Sequence, residues 1–215
     1  MTIFLIRHGR TLANEQHLYC GSTDLPLSRA GREALANRPP IDVGAARFIT
    51  SGMRRCNETL ALLFGSVPYE VVRDFREIDF GAFEMKSYEM LKDEPAYQTW
   101  LSRDPEINPP PGGESGKQMT RRVLAAYMAL ESRKENTVIV THGGVIAAIM
   151  ASLFPEEGKN RYQWQPKAGG GVRHNGRHLL GNSIRTAKIP RHSRGILTEM
   201  PPNHAVWGQN HYYTQ

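Results

Sequence analysis

Two histidines in this sequence stand in the same setting. His8 follows an apolar run at residues 2–6 and Arg7, and His142 follows the apolar run Thr137–Thr141. A glycine comes after each histidine, and glycine allows a ligand to approach the backbone closely. An imidazole can act as a nucleophile or carry a proton near neutral pH. A single histidine after a strand is usually a turn residue, but two in this setting predict one shared reactive site.

Two arginines stand close to these histidines. Arg7 adjoins His8, and Arg54 lies at the predicted start of a helix, just after Ser51. Guanidinium is planar and always charged, and it binds phosphate through two parallel hydrogen bonds. A helix N-terminus also favours an anion. Solvated surface arginines are the alternative interpretation, but the neighbouring histidines favour a phosphate-binding site.

The sequence around these residues alternates between segments with the hydrophobic pattern of strands and segments with that of helices. Short apolar runs predict strands at residues 2–6, 47–50, 69–73 and 137–141, and helical spacing predicts helices at 29–37, 54–64, 115–133 and 145–154. Residues 81–113 are polar and predict a short helix at 87–92, then a surface loop. The order predicts an α/β fold, a three-layer α/β/α sandwich with a mostly parallel central sheet. Both histidines then lie at the carboxyl ends of strands, where such sheets bind ligands.

Four segments together resemble the histidine phosphatase superfamily, which includes the phosphoglycerate mutases. They are Leu-Ile-Arg-His-Gly-Arg-Thr at 5–11, Ser-Gly-Met-Arg-Arg-Cys-Asn-Glu-Thr at 51–59, Phe-Arg-Glu-Ile-Asp-Phe-Gly-Ala-Phe-Glu at 75–84 and Val-Thr-His-Gly-Gly at 140–144. The resemblance implies a phosphoglycerate mutase-like fold. It also implies a phosphatase that passes through a phosphohistidine.

The resemblance assigns roles to single residues. His8 is the expected nucleophile, and Glu77 the expected proton donor and acceptor. The phosphoryl oxygens are expected to bind Arg7, Arg54 and His142, with Asn14 and Gly143 as further contacts. The arginines supply the positive charge that magnesium often supplies to phosphoryl transfer, so we expect no metal and no cofactor.

Two segments bear on the substrate. Residues 20–28 and 111–115 resemble alpha-ribazole phosphatases of cobalamin biosynthesis, and the short connection after Glu77 favours a phosphatase over a mutase. The backbone amides of Gly21, Ser22 and Thr23 are expected to line the substrate mouth; a purely structural turn is the alternative. A sugar-phosphate phosphatase, a phosphoglycerate mutase and a non-catalytic domain that binds phosphorylated ligands stay open. Intact His8 and Glu77 argue against the last.

Composition narrows the class of partner. The 215 residues carry a net charge of +6, but residues 172–215 hold six basic residues and one acidic residue, so the first 171 hold 27 − 6 = 21 basic and 21 − 1 = 20 acidic residues. We therefore predict a small-molecule phosphomonoester substrate and no nucleic-acid partner. No apolar run is long enough to span a bilayer, and we expect a cytoplasmic protein that binds no membrane. Cys20 and Cys56 are expected to be free thiols.

The last segment departs from the pattern of the rest. Residues 172–215 contain five of the eight histidines and scattered apolar residues. We predict a histidine phosphatase domain at 1–171 and a divergent, basic, histidine-rich tail at 172–215 that packs poorly. A metal site formed by these histidines is an alternative.

Overall fold

A computed structural model describes residues 1–131, 135–160, 162–175 and 178–180. Six strands in this part of the chain form one sheet: β1 (Ile3–Arg7), β2 (Arg47–Thr50), β3 (Glu70–Val71), β4 (Thr137–Thr141), β5 (Gly171–Asn175) and β6 (His178–Leu179). Their spatial order is β3-β2-β4-β1-β5-β6. The first four strands are parallel, and β5 and β6 are antiparallel to their neighbours. The predicted mostly parallel sheet is confirmed.

Helices cover both faces of this sheet. The helices in the described part of the chain are α1 (Leu12–Glu15), α2 (Arg29–Ala36), α3 (Arg54–Phe64), α4 (Tyr88–Leu91), α5 (Pro95–Ser102), α6 (Gly116–Glu131) and α7 (Gly143–Leu153). Helices α6 and α7 pack together on one face, and α2 and α3 pack together on the other. The predicted α/β/α sandwich is therefore confirmed.

Strand β1 explains why its sequence shows no polar alternation. Ile3 and Leu5 lie in the core cluster formed with α6 and α7, whereas Phe4 and Ile6 lie in the cluster formed with α3. Successive side chains of a strand point to opposite faces, and here both faces are covered. Burying one such side chain contributes roughly 1.5–3 kcal/mol, so the strand is held firmly at the centre of the sheet.

Local signals set the ends of two helices as the sequence predicted. The Ser28 hydroxyl caps α2 by accepting a hydrogen bond from the Gly31 amide at 3.0 Å. Helix α3 ends at Gly65, whose φ of 74° is a conformation that glycine adopts without strain. Such short-range contacts are legible in the sequence because the residues that make them are neighbours in the chain.

The region from 81 to 113 contains more structure than the sequence predicted. Helix α5 lies where a surface loop was expected, with Tyr97 and Trp100 buried three residues apart. These rings pack against Tyr19 and Phe80 in a separate aromatic cluster. The two anchors were hidden among polar neighbours, so the prediction of an open loop here was wrong.

The sheet continues beyond the boundary predicted at residue 171. Strand β5 pairs with β1, and its buried His174 lies 3.1 Å from the Tyr127 hydroxyl. Residues 172–175 and 178–180 thus belong to the sheet region. The rest of the predicted tail, with His192, His204 and His211, lies outside the described residues. In the part of the chain that the structure describes, no helix is both long and apolar enough to cross a membrane.

Candidate active site

The register between β1 and β4 brings the two histidines together. Arg7 pairs with Thr141, and the His8 amide continues the ladder by donating to the Thr141 carbonyl at 2.9 Å. The residue after each strand is therefore a histidine at the same edge of the sheet. The ring centroids of His8 and His142 are 5.1 Å apart, in an edge-to-face arrangement.

The imidazole of His8 is held in its neutral form, with one ring nitrogen free of a hydrogen-bond partner among the residues that the structure describes. Its Nδ1 lies 2.7 Å from the Gly9 carbonyl oxygen, which can only accept, so Nδ1 carries the proton and Nε2 keeps its lone pair. Burial lowers the pKa of His8 well below its usual value, and the positive charges of Arg55 and Arg7 lower it further. The ring is therefore neutral at neutral pH, with its single proton on Nδ1.

His142 is completely buried and uses both ring nitrogens within the protein. Its Nδ1 accepts from the Arg55 Nε at 3.3 Å, so its proton lies on Nε2, which is 2.9 Å from the Ser51 hydroxyl. Burial, followed by the charge of Arg55, lowers the pKa of His142 well below its usual value. A protonated His142 is thus not the resting form. Its contact with a phosphoryl oxygen stays a prediction, because both ring nitrogens have protein partners and His142 is not among the residues that line the cavity.

The arginine in this site is Arg55 and not Arg54. The side chain of Arg54 is 61% exposed and points toward Glu58, 3.8 Å away, whereas Arg55 is 1% exposed and lines the cavity beside His8. Successive residues of a helix point about 100° apart. Cys56 and Leu60 face the sheet. Arg55 is one position away from Cys56 on the helix and Arg54 is two positions away, so Arg55 lies nearer the site. The structure therefore contradicts the placement of Arg54 in the site. The helical phase relative to Cys56 and Leu60 is the sequence signal that could have indicated Arg55.

Arg55 is held by three hydrogen bonds that leave part of its guanidinium unused. Nη1 donates to the Thr23 carbonyl at 2.8 Å, Nη2 to the Gly21 carbonyl at 2.7 Å, and Nε to His142. Guanidinium has five N–H donors. One N–H on each Nη therefore remains for a ligand, which matches two oxygens of a phosphoryl group.

Arg7 supplies a second cation to the same cavity. Its Nη1 donates to the Pro166 carbonyl at 3.0 Å, while its buried Nε has no partner among the residues that the structure describes. Burial lowers the pKa of Arg7, and the carboxylate of Glu77 opposes that shift. A buried N–H without a partner costs free energy unless a ligand accepts from it. Arg7 is therefore a second donor that an anion in the cavity would satisfy.

Glu77 reaches the cavity from the other side. Its Oε2 accepts from the Gly144 amide at 3.0 Å, in the first turn of α7, and its Oε1 accepts from its neighbour's amide. A Cβ on Gly144 would lie 2.4 Å from Oε1, so this close approach needs glycine. Arg122 fixes the backbone of the segment by donating to the Glu77 carbonyl at 3.1 Å and to both oxygens of Glu114, at 2.8 and 2.6 Å. Glu77 thereby lines the same cavity as His8.

Polar and apolar side chains both line the cavity, whose space measures about 780 Å³ when its open mouth is counted. The polar and charged lining residues include Arg7, His8, Asn14, Arg55 and Glu77, and the apolar and aromatic ones include Leu18, Tyr19, Ile78, Phe80 and Met119. Asn14 is among the predicted contacts. Its Oδ1 accepts from the amide and the hydroxyl of Thr11, each at 3.0 Å, which leaves its Nδ2 donor for a ligand.

Four predicted substrate contacts lie elsewhere. Gly143 begins α7 and packs against Arg7, and it does not line the cavity. The amides of Gly21, Ser22 and Thr23 all donate to the carboxylate of Glu84, so they do not face a substrate. The structural turn, left open by the sequence, is the arrangement that the loop adopts. It contributes to the site through its carbonyls, which bind Arg55.

The four sequence motifs and this geometry agree with the comparison to known families. The sequence model of the histidine phosphatase superfamily (branch 1) matches residues 3–171. The chain belongs to this superfamily. It is therefore a histidine phosphatase superfamily enzyme, and the relatives that it matches are named as phosphatases or as phosphoglycerate mutases.

Individual relatives carry both kinds of name. An adenosylcobalamin/alpha-ribazole phosphatase of Salmonella typhimurium is 31% identical over 166 residues, which are 72% of this chain and 80% of that protein. The crystal structure of the alpha-ribazole phosphatase from Shigella flexneri aligns with a TM-score of 0.74 at 26% identity, over 87% of this chain and 100% of that one. A phosphoglycerate mutase from Thermus thermophilus aligns with a TM-score of 0.64 at 30% identity, over 84% and 97%.

Proposed function

We propose that this enzyme hydrolyses a small phosphomonoester in two steps through a phosphohistidine at His8. The observation that carries the proposal is the free Nε2 of a neutral His8 in one cavity with the unused donors of Arg7 and Arg55. In the first step a bond forms between Nε2 and phosphorus and the ester P–O bond breaks. The leaving oxygen takes a proton from Glu77. In the second step water attacks phosphorus, Glu77 takes its proton, and the N–P bond breaks.

The two arginines suit the charge that this reaction moves. Phosphoryl transfer needs in-line positioning and stabilisation of the equatorial oxygens more than it needs covalent chemistry. Arg7 and Arg55 are fixed by the protein before substrate arrives, so they lose little free energy in reorganising. Glu77 contributes acid–base catalysis, which is typically worth about 10²–10⁴-fold.

A second nucleophile in the cavity is a weaker candidate. Cys20 lines the same space as His8, but burial raises the pKa of its thiol to about 11. The thiolate is the reactive form of cysteine. Cys20 is therefore a neutral thiol near pH 7, while His8 already has its lone pair available.

Among possible substrates, we propose alpha-ribazole 5′-phosphate. Among the described residues that line the cavity, the only arginines or lysines are Arg7 and Arg55, and the proposal assigns both to the phosphate. The lining also includes apolar and aromatic side chains, among them Tyr19, Phe80 and Met119. An uncharged aromatic nucleoside suits these side chains, whereas the carboxylate of 3-phosphoglycerate would lack a cation. The similarity to named alpha-ribazole phosphatases supports the same choice.

The test compares three substrate classes with one preparation of enzyme. Phosphate release is measured from alpha-ribazole 5′-phosphate, from a hexose 6-phosphate and from 3-phosphoglycerate, and interconversion of phosphoglycerates is followed with 2,3-bisphosphoglycerate as primer. We expect kcat/KM to be highest for alpha-ribazole 5′-phosphate. Faster turnover of the sugar phosphate would replace the substrate assignment. Phosphoglycerate interconversion without phosphate release would replace hydrolysis by mutase activity.

The nucleophile is tested separately with His8→Ala. Wild-type enzyme mixed briefly with radiolabelled substrate and quenched in base should carry a label that acid removes, as expected for phosphohistidine. His8→Ala should carry no label and lose phosphatase activity. Activity that persists in His8→Ala would rule out His8 as the nucleophile.

A further inference from the structure

The carboxylate of Glu84 collects five hydrogen bonds although it lies outside the cavity. Oε1 accepts from the amides of Gly21, Ser22 and Phe80 at 2.9, 3.0 and 3.0 Å. Oε2 accepts from the amide of Thr23 at 3.2 Å and from its hydroxyl at 2.6 Å. Four of these bonds come from three consecutive residues of one loop, so a single carboxylate determines the path of that loop.

The same loop also binds Arg55, through the carbonyls of two of its residues. The carbonyls of Gly21 and Thr23 accept from Nη2 and Nη1 of Arg55. Within each of these residues the amide faces the anion and the carbonyl faces the cation. The Gly21 carbonyl shares its peptide group with the Ser22 amide, and hydrogen bonds arranged in a chain polarise one another, so the bond from the Ser22 amide to the carboxylate strengthens the Gly21 carbonyl as an acceptor.

The loop has little freedom to take another position. A Cβ on Gly21 would lie 1.6 Å from the Ile78 carbonyl oxygen, so the backbone of the loop presses directly on the segment after Glu77. Main-chain hydrogen bonds also join Tyr19, which lies just before the loop, to Met85 and Lys86, which lie just after Glu84. Glu84 thus completes a rigid holder for the guanidinium, which leaves one N–H of each Nη for a ligand.

We propose that Glu84 is a positioning residue that acts through the 21–23 loop to hold Arg55 in its phosphate-binding orientation. The inference rests on the proposed phosphate site. It assigns no contact between Glu84 and substrate. Its distinctive consequence is that the effect of Glu84 on phosphate binding depends on Arg55.

The primary variant is Glu84→Gln, with Glu94→Gln as the matched control. Glutamine keeps the shape of the side chain but has one acceptor oxygen in place of two, so at least one loop amide loses its partner. Glu94 lies in the same region and pairs with Lys86 at 3.4 Å, away from the loop. We expect Glu84→Gln to weaken binding of inorganic phosphate, measured by calorimetry, by about 10- to 100-fold, the range for losing a hydrogen bond to a charged group. Glu94→Gln should bind phosphate like wild type.

The decisive measurement is a double-mutant cycle with Arg55→Lys. We expect Glu84→Gln to lower kcat/KM and phosphate affinity strongly in wild type, but by less than about threefold when lysine already occupies position 55. Thr23→Val, which removes only the bond at 2.6 Å, should cause a smaller loss in the same direction. The dependence of kcat on the leaving group should stay as in wild type, because Glu77 is untouched.

The outcomes separate this inference from the proposed function. Equal factors in both backgrounds, or a lower melting temperature with unchanged phosphate affinity, would reduce Glu84 to a structural residue and overturn the inference. An enzyme that hydrolyses no phosphomonoester would overturn the proposed function. Phosphate binding measured by calorimetry in the double-mutant cycle would still test the role of Glu84 in that case, since phosphate binding needs no turnover.

Discussion

Replacing Arg55 and Arg54 separately tests which of two adjacent arginines binds the phosphoryl group. Arg55→Lys keeps a positive charge but replaces the planar fork by a point charge with three donors. Lysine cannot bind the carbonyls of Gly21 and Thr23, the ring of His142 and two phosphoryl oxygens together. Removing one preorganised donor to a developing anion costs about 2.7–4 kcal/mol, so we expect kcat/KM to fall about 10²–10³-fold.

The matched variant is Arg54→Ala. Its side chain is mostly exposed, and its ion pair with Glu58 spans 3.8 Å, so the pair is worth no more than about 0.5 kcal/mol. The backbone amide of residue 54, which donates to Asp24 at 2.8 Å, survives the substitution. We expect kcat/KM within about twofold of wild type.

The assay is steady-state hydrolysis of 4-nitrophenyl phosphate, with competitive inhibition by inorganic phosphate as a second reading. Arg55→Lys also leaves a buried carbonyl without its donor, at about 1–3 kcal/mol, so its melting temperature should fall by about 2–12 °C. Rates are therefore compared well below that temperature. A hundredfold loss in Arg54→Ala with near-normal Arg55→Lys would refute the reasoning from helical phase and burial.

Three further predictions concern the chemistry of the site. Glu77→Gln should slow alkyl phosphates far more than 4-nitrophenyl phosphate, because the nitrophenolate leaves without a proton; equal losses measured by kcat/KM would remove the acid role. The pKa of His8 is lowered by burial and by Arg55 and Arg7, so the imidazole stays neutral as pH falls to 6.5 and protonates only below that value. An NMR titration of the His8 ring should show its midpoint below pH 6.5, and a midpoint at or above that value would contradict the assignment. Incubation with EDTA followed by dialysis should leave kcat unchanged, whereas loss of activity that magnesium restores would show a metal requirement.

Much of this fold could be predicted because its signals are local. The apolar runs that form β1 and β4 have no polar alternation, which indicates buried strands. The C-terminal end of α3 follows from a glycine at position 65. The common setting of His8 and His142 was equally legible, since parallel strands place their carboxyl ends at one edge. Helix α5 was missed because its two buried anchors, Tyr97 and Trp100, interact with residues far away in the chain.

Some features of the candidate site could likewise be predicted from the sequence, and others could not. From the sequence and its resemblance to the superfamily we predicted His8 as the nucleophile, Glu77 as the acid and a guanidinium at the start of α3, because these predictions depend on residue type and on order along the chain. The sequence did not decide between Arg54 and Arg55, a choice that depends on how the helix is rotated against the sheet. Nor did it decide which way the peptide groups of the 21–23 loop face.

Only the tertiary structure brought Glu84 to that loop, 61 to 63 residues away in the chain, and turned the loop amides away from the cavity. The positions of strands and helices can be predicted because the hydrophobic period of each segment and the signals at its ends are local in the sequence, even though β1 pairs with the distant β4. The orientation of a side chain or a peptide group in a site depends on partners from distant segments. Those partners come within hydrogen-bonding distance only after the layers have packed.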